Sequence, residues 1–382
     1  MDKVRIGVIG VGGMGAYHAN YLKSGEIKRA ELAAVCDIDE AKLANWGEIP
    51  TFTDSKKLIR SGLADAVLIA TPHYFHTTIG IDAFQQGLHV LTEKPISVHK
   101  ADCGRLIAAH KGTKLVFSAM FQMRTEPLYK KLKQLIDAGE LGEITRIGWI
   151  VTDWFRTEAY YASGGWRATW SGEGGGVLLN QCPHNLDLMY WLFGAPSAVR
   201  GFCKLGAKHN IEVEDEVTAY LEYPNGATGV FITTTGEAPG TNRLEIAGDR
   251  GRITVEGGKI HFDRNEVSAA EFLKTSTFSF ARPALWDIEI PYGKAETGHK
   301  VITQDYVDAI LDGTELIAPA EEGIHSVEMA NSMLYSSLTG TTVNMPLDAA
   351  AYEAVLKDLI AKSKFVKKGA KKVDGDITSS FK

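Results

Sequence analysis

Residues 4–15 read Val4-Arg5-Ile6-Gly7-Val8-Ile9-Gly10-Val11-Gly12-Gly13-Met14-Gly15. A β-branched apolar run opens directly into G-x-G-x-x-G, and the residues from 13 to 23 have helical spacing. In that order each glycine has a task. Gly10 makes the tight turn, Gly12 lets a pyrophosphate approach the backbone, and Gly15 lets the helix pack on the strand. Exposed N–H groups around Gly13 and Met14, together with the helix dipole, attract phosphates. The other reading is an ordinary glycine-rich turn. Asp37 favours the dinucleotide, because it ends the second apolar run roughly 20 positions on, where an acid hydrogen-bonds the adenosine ribose. A carboxylate there repels a 2′-phosphate and no Arg follows it directly, so NAD is expected rather than NADP. Asp39 could instead cap the following helix.

Working outward, short buried-type strands at 4–9, 31–36, 66–69, 89–91 and 114–117 alternate with helical stretches at 13–23, 40–45, 55–60, 77–86 and 100–110. Gly62 and Gly87 stand where helix ends favour left-handed residues. The pattern predicts an α/β fold opening with a doubly wound Rossmann domain, residues 1–122. After Met123 the rhythm changes. A helix at 126–138 precedes alternating segments at 144–155, 197–205, 216–223, 227–235, 243–248 and 252–255, which predict an α/β domain with a large, mostly antiparallel open sheet, residues 123–345. Asn225-Gly226 predicts a two-residue hairpin turn with both residues at positive φ. Helices at 321–338 and 349–361 close the pattern, and residues 346–382 form a C-terminal helix and basic tail.

The 382 residues are 45% hydrophobic and 23% charged, a globular composition large enough for two or three cores. A formal net charge of −6 argues against nucleic acid as a partner. Six lysines between Lys362 and Lys372 are read as a solvated terminus. The cysteines, Cys36, Cys103, Cys182 and Cys203, have no paired spacing, which predicts a reducing, cytoplasmic setting without a disulfide framework. No apolar run suits a membrane span, and the N-terminus reads as mature sequence rather than a signal. Cys182 and His184 are two isolated ligands, so no metal site is expected.

Further motifs follow in order: Ala70-Thr71-Pro72 with His76, then Glu93-Lys94-Pro95, then Gly174-Gly175-Gly176 leading to His184 and Asp187. With the glycine fingerprint, these make the chain resemble the glucose-fructose oxidoreductase, inositol dehydrogenase and rhizopine catabolism family of NAD(P)-dependent oxidoreductases, over residues 3–345. The resemblance implies an open sheet that packs against another subunit, as a homodimer or homotetramer. It implies that Lys94 lies between substrate and nicotinamide ribose, and that His184 exchanges the substrate hydroxyl proton. A partly buried ammonium stabilises a developing alkoxide, and a histidine near a helix N-terminus stays neutral, as a base must. The bland readings are a surface lysine and a structural histidine. Glu93 could orient Lys94, and Pro95 permits a cis bond.

The chain departs from the polyol dehydrogenase pattern at Asn180, where that resemblance implies an aspartate, and an amide cannot hold a proton. Asp187, one turn past His184, could supply the carboxylate or simply pack. Residues 149–170 hold four of the seven tryptophans, with Phe155, Tyr160 and Tyr161. Trp154, Tyr160 and Trp166, with Arg156 and Arg167, would suit the C–H faces and hydroxyls of a sugar, although aromatics are more often core. Arg124 and Tyr74 are further pocket candidates. The function expected is oxidation of a secondary hydroxyl of a sugar, glycoside or cyclitol to a ketone, with a small carbohydrate or polyol as the partner. Two other classes remain: an NAD-dependent glycosidase that eliminates after transient oxidation, with Tyr160, Tyr161 or Asp153 as added base, and a non-enzymatic dinucleotide or sugar sensor.

Overall fold

A computed structural model describes residues 2–367. Its first layer contains β1 (Val4–Ile9), β2 (Ala30–Cys36), β3 (Thr51–Phe52), β4 (Ala66–Ile69), β5 (His89–Thr92) and β6 (Phe117–Ala119), wholly parallel in the order β3-β2-β1-β4-β5-β6. Parallel neighbours need crossovers, which α1 (Gly13–Lys23), α2 (Ser55–Ile59), α3 (Tyr74–Gln85) and α4 (Lys100–His110) supply. Helices on both faces leave Val67, Leu68 and Ile69 without solvent, which is why these strands are unbroken apolar runs. Strand order reverses between β1 and β4, so a crevice opens beyond their carboxyl ends.

The second layer begins with α5 (Pro127–Asp137), β7 (Ile144–Val151), α6 (Glu158–Ala162), α7 (Val177–Asn180) and α8 (Pro183–Phe193). It continues through β8 (Ala198–Leu205), β9 (Glu214–Glu222), β10 (Thr228–Thr234), β11 (Asn242–Gly248), β12 (Gly251–Glu256), β13 (Lys259–Asn265), α9 (Ala269–Thr275) and β14 (Leu285–Ile290). After α10 (His299–Asp312) and α11 (Gly323–Thr339) come β15 (Val343–Asn344) and α12 (Ala349–Lys362). The sheet order is β14-β13-β12-β11-β7-β10-β9-β8-β15, antiparallel except where β7 meets β10. Along β7, Ile147, Trp149 and Val151 enter the core with residues of α5, α8 and α11, while Arg146 and Ile150 face outward. That period of two is the alternation seen in the sequence.

Several expectations change. The helix expected at 40–45 is one 3₁₀ turn, Glu40–Lys42, with Asp39 Oδ1 accepting from Ala41 N–H at 3.1 Å, so Asp39 is a cap. The strand expected at 114–117 starts at Phe117, and the strand expected at 144–155 stops at Val151. At the hairpin, Gly226 N–H donates to Tyr223 O at 2.9 Å, enclosing Pro224 and Asn225, and of the expected pair only Gly226 has a positive φ, 85°. Proline at the first turn position, then a left-handed glycine, makes a bulged turn rather than a two-residue one. Strands β13 and β14 and helix α10 had no distinct signal. The chain comes back to the first layer at α10, whose Ile302, Tyr306 and Val307 join its core. Of the lysine cluster, Lys368, Lys371 and Lys372 lie outside the described residues. No helix among the described residues is long and apolar enough to cross a membrane.

Candidate active site

The glycine turn divides into positions the protein needs and one it leaves open. A Cβ on Gly10 would lie 2.7 Å from Ala70 O, and one on Gly15 would lie 1.6 Å from Gly10 O, so turn and helix packing exclude side chains there. A Cβ on Gly12 would meet nothing within 4 Å. Gly12 caps α1, which starts with no side-chain cap and no acid in its first turn, where Gly13 and Met14 lie. At the end of β2, Asp37 Oδ2 accepts from Val11 N–H at 3.0 Å and Oδ1 from Asp39 N–H at 3.0 Å. Lys42 Nζ approaches Oδ1 to 3.3 Å, a cation that was not foreseen. Beside Gly10, the chain leaves β4 through Ala70, Thr71 and Pro72, and Thr71 Oγ1 is buried without a protein partner. An open cradle, an uncapped helix, a ribose-side carboxylate and an orphan hydroxyl fit NAD.

His76, expected at the cofactor, is fully buried. Its Nδ1 lies 2.8 Å from Pro95 O and its Nε2 2.8 Å from Thr71 O, so it ties the loop after β5 to the loop after β4. Burial holds this imidazole below its usual pKa, so one nitrogen donates and the other does not.

Lys94 leaves β5 through a cis bond to Pro95. Its Nζ donates to Asn180 O, at the end of α7, at 2.9 Å, which joins the two layers. Burial lowers the pKa of this amine, opposed by Glu93 and Glu173. Glu93 is buried, and its Oε2 accepts from Lys94 N–H at 3.2 Å. Its Oε1 lies 2.7 Å from His18 Nε2, and the chain of contacts continues through Tyr21 OH to Thr303 of α10. Burial would raise the Glu93 pKa, but His18 and the surrounding positive charge pull it down to about 2, so a carboxylate stands behind Lys94.

His184 lies in the first turn of α8 after Pro183, 6% exposed. Burial, and next the Lys94 ammonium, press its pKa well below the usual imidazole range. Gln122, absent from the sequence reading, brings its amide nitrogen to 3.2 Å from His184 Nε2, and Phe121 packs edge-on at 6.2 Å. Both follow β6, so the first layer clasps a histidine of the second.

The Gly174–Gly176 run explains how α7 comes so close. A Cβ on Gly174 would meet Val98 Cγ1 at 2.1 Å, and one on Gly176 would meet Glu214 O at 2.0 Å. The loop therefore threads between the segment after Lys94 and strand β9.

The N-terminal layer matches the model described as the oxidoreductase family, NAD-binding Rossmann fold, over residues 4–121, and residues 129–254 match the GFO/IDH/MocA C-terminal domain. The chain belongs to the Gfo/Idh/MocA oxidoreductase family. It is 28% identical over 262 residues to myo-inositol 2-dehydrogenase of Thermotoga maritima, an alignment covering 65% of this chain and 74% of that one. It is 30% identical over 259 residues to the uncharacterised oxidoreductase YdgJ of Escherichia coli, covering 67% and 72% respectively. The WlbA dehydrogenase of Bordetella pertussis, solved with NADH and UDP-GlcNAcA, superposes with a TM-score of 0.76 at 26% identity, over 91% of this chain and 100% of that one. The chain is therefore an NAD-dependent oxidoreductase.

In this Gfo/Idh/MocA chain the aromatic segment divides in two. Trp149, Tyr161 and Trp170 are core, while Trp154, Tyr160 and Trp166 are half-buried. The Arg156 guanidinium lies 5.5 Å from the Trp154 ring and 5.2 Å from that of Tyr160, and Arg167 lies 4.4 Å from Tyr160 and 4.8 Å from Trp166. Tyr160 OH joins Arg167, Gln181 and Asn180 at 2.6, 3.0 and 3.3 Å. Trp154 Nε1 donates to Asn185 Oδ1 at 3.4 Å, and Tyr74 OH donates to Trp170 O at 2.8 Å.

Arg124 does not line this pocket. It is 1% exposed, and its guanidinium donates to Asp187 at 2.6 and 2.8 Å and to Glu322 at 2.6 Å. Asp187 is thereby engaged away from His184. Of the three bases considered for an elimination route, Tyr160 lies in the pocket, while Tyr161 OH bonds Thr235 at 2.8 Å and exposed Asp153 accepts from Asn242 Nδ2 at 3.1 Å.

Among the described residues, ten buried side-chain polar atoms lack a protein partner, and six of them cluster here: Thr71 Oγ1, Gln122 Oε1, Arg167 Nε, Gln181 Oε1, His184 Nδ1 and Asn185 Nδ2. Each unsatisfied group costs roughly 1–3 kcal/mol, so a cluster of this kind points to a polar ligand.

Proposed function

We propose that this chain oxidises a secondary hydroxyl of a sugar, glycoside or cyclitol to a ketone, reversibly, with NAD. The observation that carries the reading is the cluster of orphan polar atoms around Lys94 and a neutral His184. The Gly12 turn and Asp37 would hold NAD, which would supply the hydride acceptor. Lys94 Nζ holds the reacting hydroxyl oxygen and stabilises negative charge as it develops. With the Gln122 amide turned end for end, so that Oε1 accepts from His184 Nε2–H and the Gln122 nitrogen becomes the unpartnered atom, His184 takes the hydroxyl proton at Nδ1. Trp154, Tyr160 and Trp166 lie against C–H faces, while Arg156, Arg167 and Asn180 meet the other hydroxyls. The myo-inositol substrate named for one relative and the UDP-GlcNAcA bound to another support a polyhydroxylated ring.

A second copy of this chain would cover the outer face of the nine-stranded sheet, where Phe202, Tyr220, Val230 and Ile150 are 36–56% exposed. The four cysteines are all free, which suits the cytoplasm. The test incubates the protein with NAD and a panel of pyranosides and inositols and follows reduced nicotinamide. Lys94→Ala and His184→Ala should lose turnover by orders of magnitude with NADH affinity little changed. Rates like those of the parent in both variants would remove the assignment.

A further inference from the structure

The carboxyl group of Glu173 has no part in the reaction described above, yet it is 1% exposed in the wall of the same site. Its Oε1 accepts from Asn180 Nδ2, and its Oε2 from Ala168 N–H. The direction of that amide is fixed by its other side. Tyr160 OH already accepts from Arg167 and Gln181, so its own hydrogen goes to Asn180 Oδ1, leaving Nδ2 for Glu173. The main-chain oxygen of Asn180 in turn receives Lys94 Nζ. One residue thus holds both the buried carboxylate and the amine.

Burial pushes the pKa of this carboxyl up, while Arg167 and the two N–H donors, Ala168 and Asn180, favour its ionised form. A third cation reaches the wall from the C-terminal segment: Lys367 Nζ donates to Gly164 O at 2.7 Å and Arg167 O at 2.8 Å. The amine of Lys94 is flanked by Glu93 and Glu173 as anions, and by Arg167, Arg156 and the neutral His184 and His73 on the other sides.

We propose that Glu173 is a positioning residue: through the Asn180 amide it sets the place of the peptide oxygen that receives Lys94, and by its charge it keeps Lys94 an ammonium. This deepens the dehydrogenase reading and rests on it for the role of Lys94. It predicts that Lys94 loses its proton more readily once the Glu173 charge is gone.

The test is competitive acetylation of the full chain with acetic anhydride across pH, without substrate, reading Lys94 by peptide mass spectrometry. Glu173→Gln should lower the Lys94 titration midpoint by about one unit, the low end for an opposite charge nearby. Turnover on a sugar found active should lose its alkaline limb at correspondingly lower pH. A glutamine can accept from only one of Asn180 Nδ2 and Ala168 N–H and sets its own donor against the other, so a second variant guards against loss of folding. The exchange E173Q/N180D keeps one carboxylate and one amide with their places swapped, and it should hold the midpoint at or above its parental value. An unchanged midpoint in folded E173Q, or a midpoint in the exchange lower than that of the parent, overturns the proposal. Failure of the whole sugar panel would instead remove the dehydrogenase reading, while the acetylation result would still stand or fall independently.

Discussion

At the scale of single residues, the site shows how much a side chain's role depends on partners distant in the chain. Arg124 and His76 carry the right chemistry for ligands, and both are consumed by the protein, one by Asp187 and Glu322, the other by two carbonyls. Removing one partner of a buried ion pair strands the other charge, so Arg124→Ala, which leaves the buried Asp187 carboxylate without its cation, should cost about 3–5 kcal/mol of stability, read as a lowered Tm. Loss of turnover without loss of stability would instead return Arg124 to the pocket. His184 gives a pH prediction with a definite sign. Its pKa is pressed well below the imidazole range, so it stays an unprotonated base as pH falls, and the acid limb of kcat/KM should lie below about pH 6.5. A limb above that value would mean that Lys94 and burial do not act on it as described.

Among elements, the first turn of α1 and the short helix α7 position everything else. Gly12→Ala adds a methyl group to open space that ligand should fill, at a φ of −67° that alanine tolerates. It should leave Tm unchanged while weakening NADH binding about tenfold, or roughly 1.4 kcal/mol. Equal binding would place the phosphates elsewhere. Helix α7 is held by buried Glu214, whose Oε1 accepts from Gly176 N–H at 2.8 Å and Leu178 N–H at 3.0 Å. Burial pushes this carboxyl up to about 7. A raised acid stabilises the fold while protonated, so its contribution, on the order of 3 kcal/mol, is present at low pH and lost as pH rises from the usual carboxyl range towards 7. Glu214→Gln should flatten the decline of Tm between about pH 5 and about pH 8, and an unaltered slope would contradict it.

These elements also mark the limit of what the sequence discloses. Strands β1, β2, β4 and β5 are legible because a strand buried on both faces must be apolar throughout, and the glycine fingerprint is local. Lys94 and His184 stand in local motifs too. Helix α10 is not legible, since what stabilises it is packing against the first layer nearly 300 positions earlier. Glu173 and Gln122 gave no signal because their meaning arises only when Asn180 and His184 are brought beside them. Even Asn180, noted for the charge it lacks, revealed its neighbour only in the fold.

For the whole molecule, two layers share one crevice, and the bond from Lys94 to Asn180 crosses between them. The outer sheet face predicts that Val230→Arg, at an apolar exposed position, shifts the chain to monomer in light scattering, with the fold intact by circular dichroism. A parent chain that is already monomeric would refute the sheet as an interface. The most direct test of the central claim is a crystal structure of the chain with NADH and an active sugar. The account predicts Lys94 Nζ and a His184 ring nitrogen both hydrogen-bonded to one ligand oxygen, beside C4 of the nicotinamide. Side chains turned towards different cavities, or a pyrophosphate away from Gly12, would contradict it.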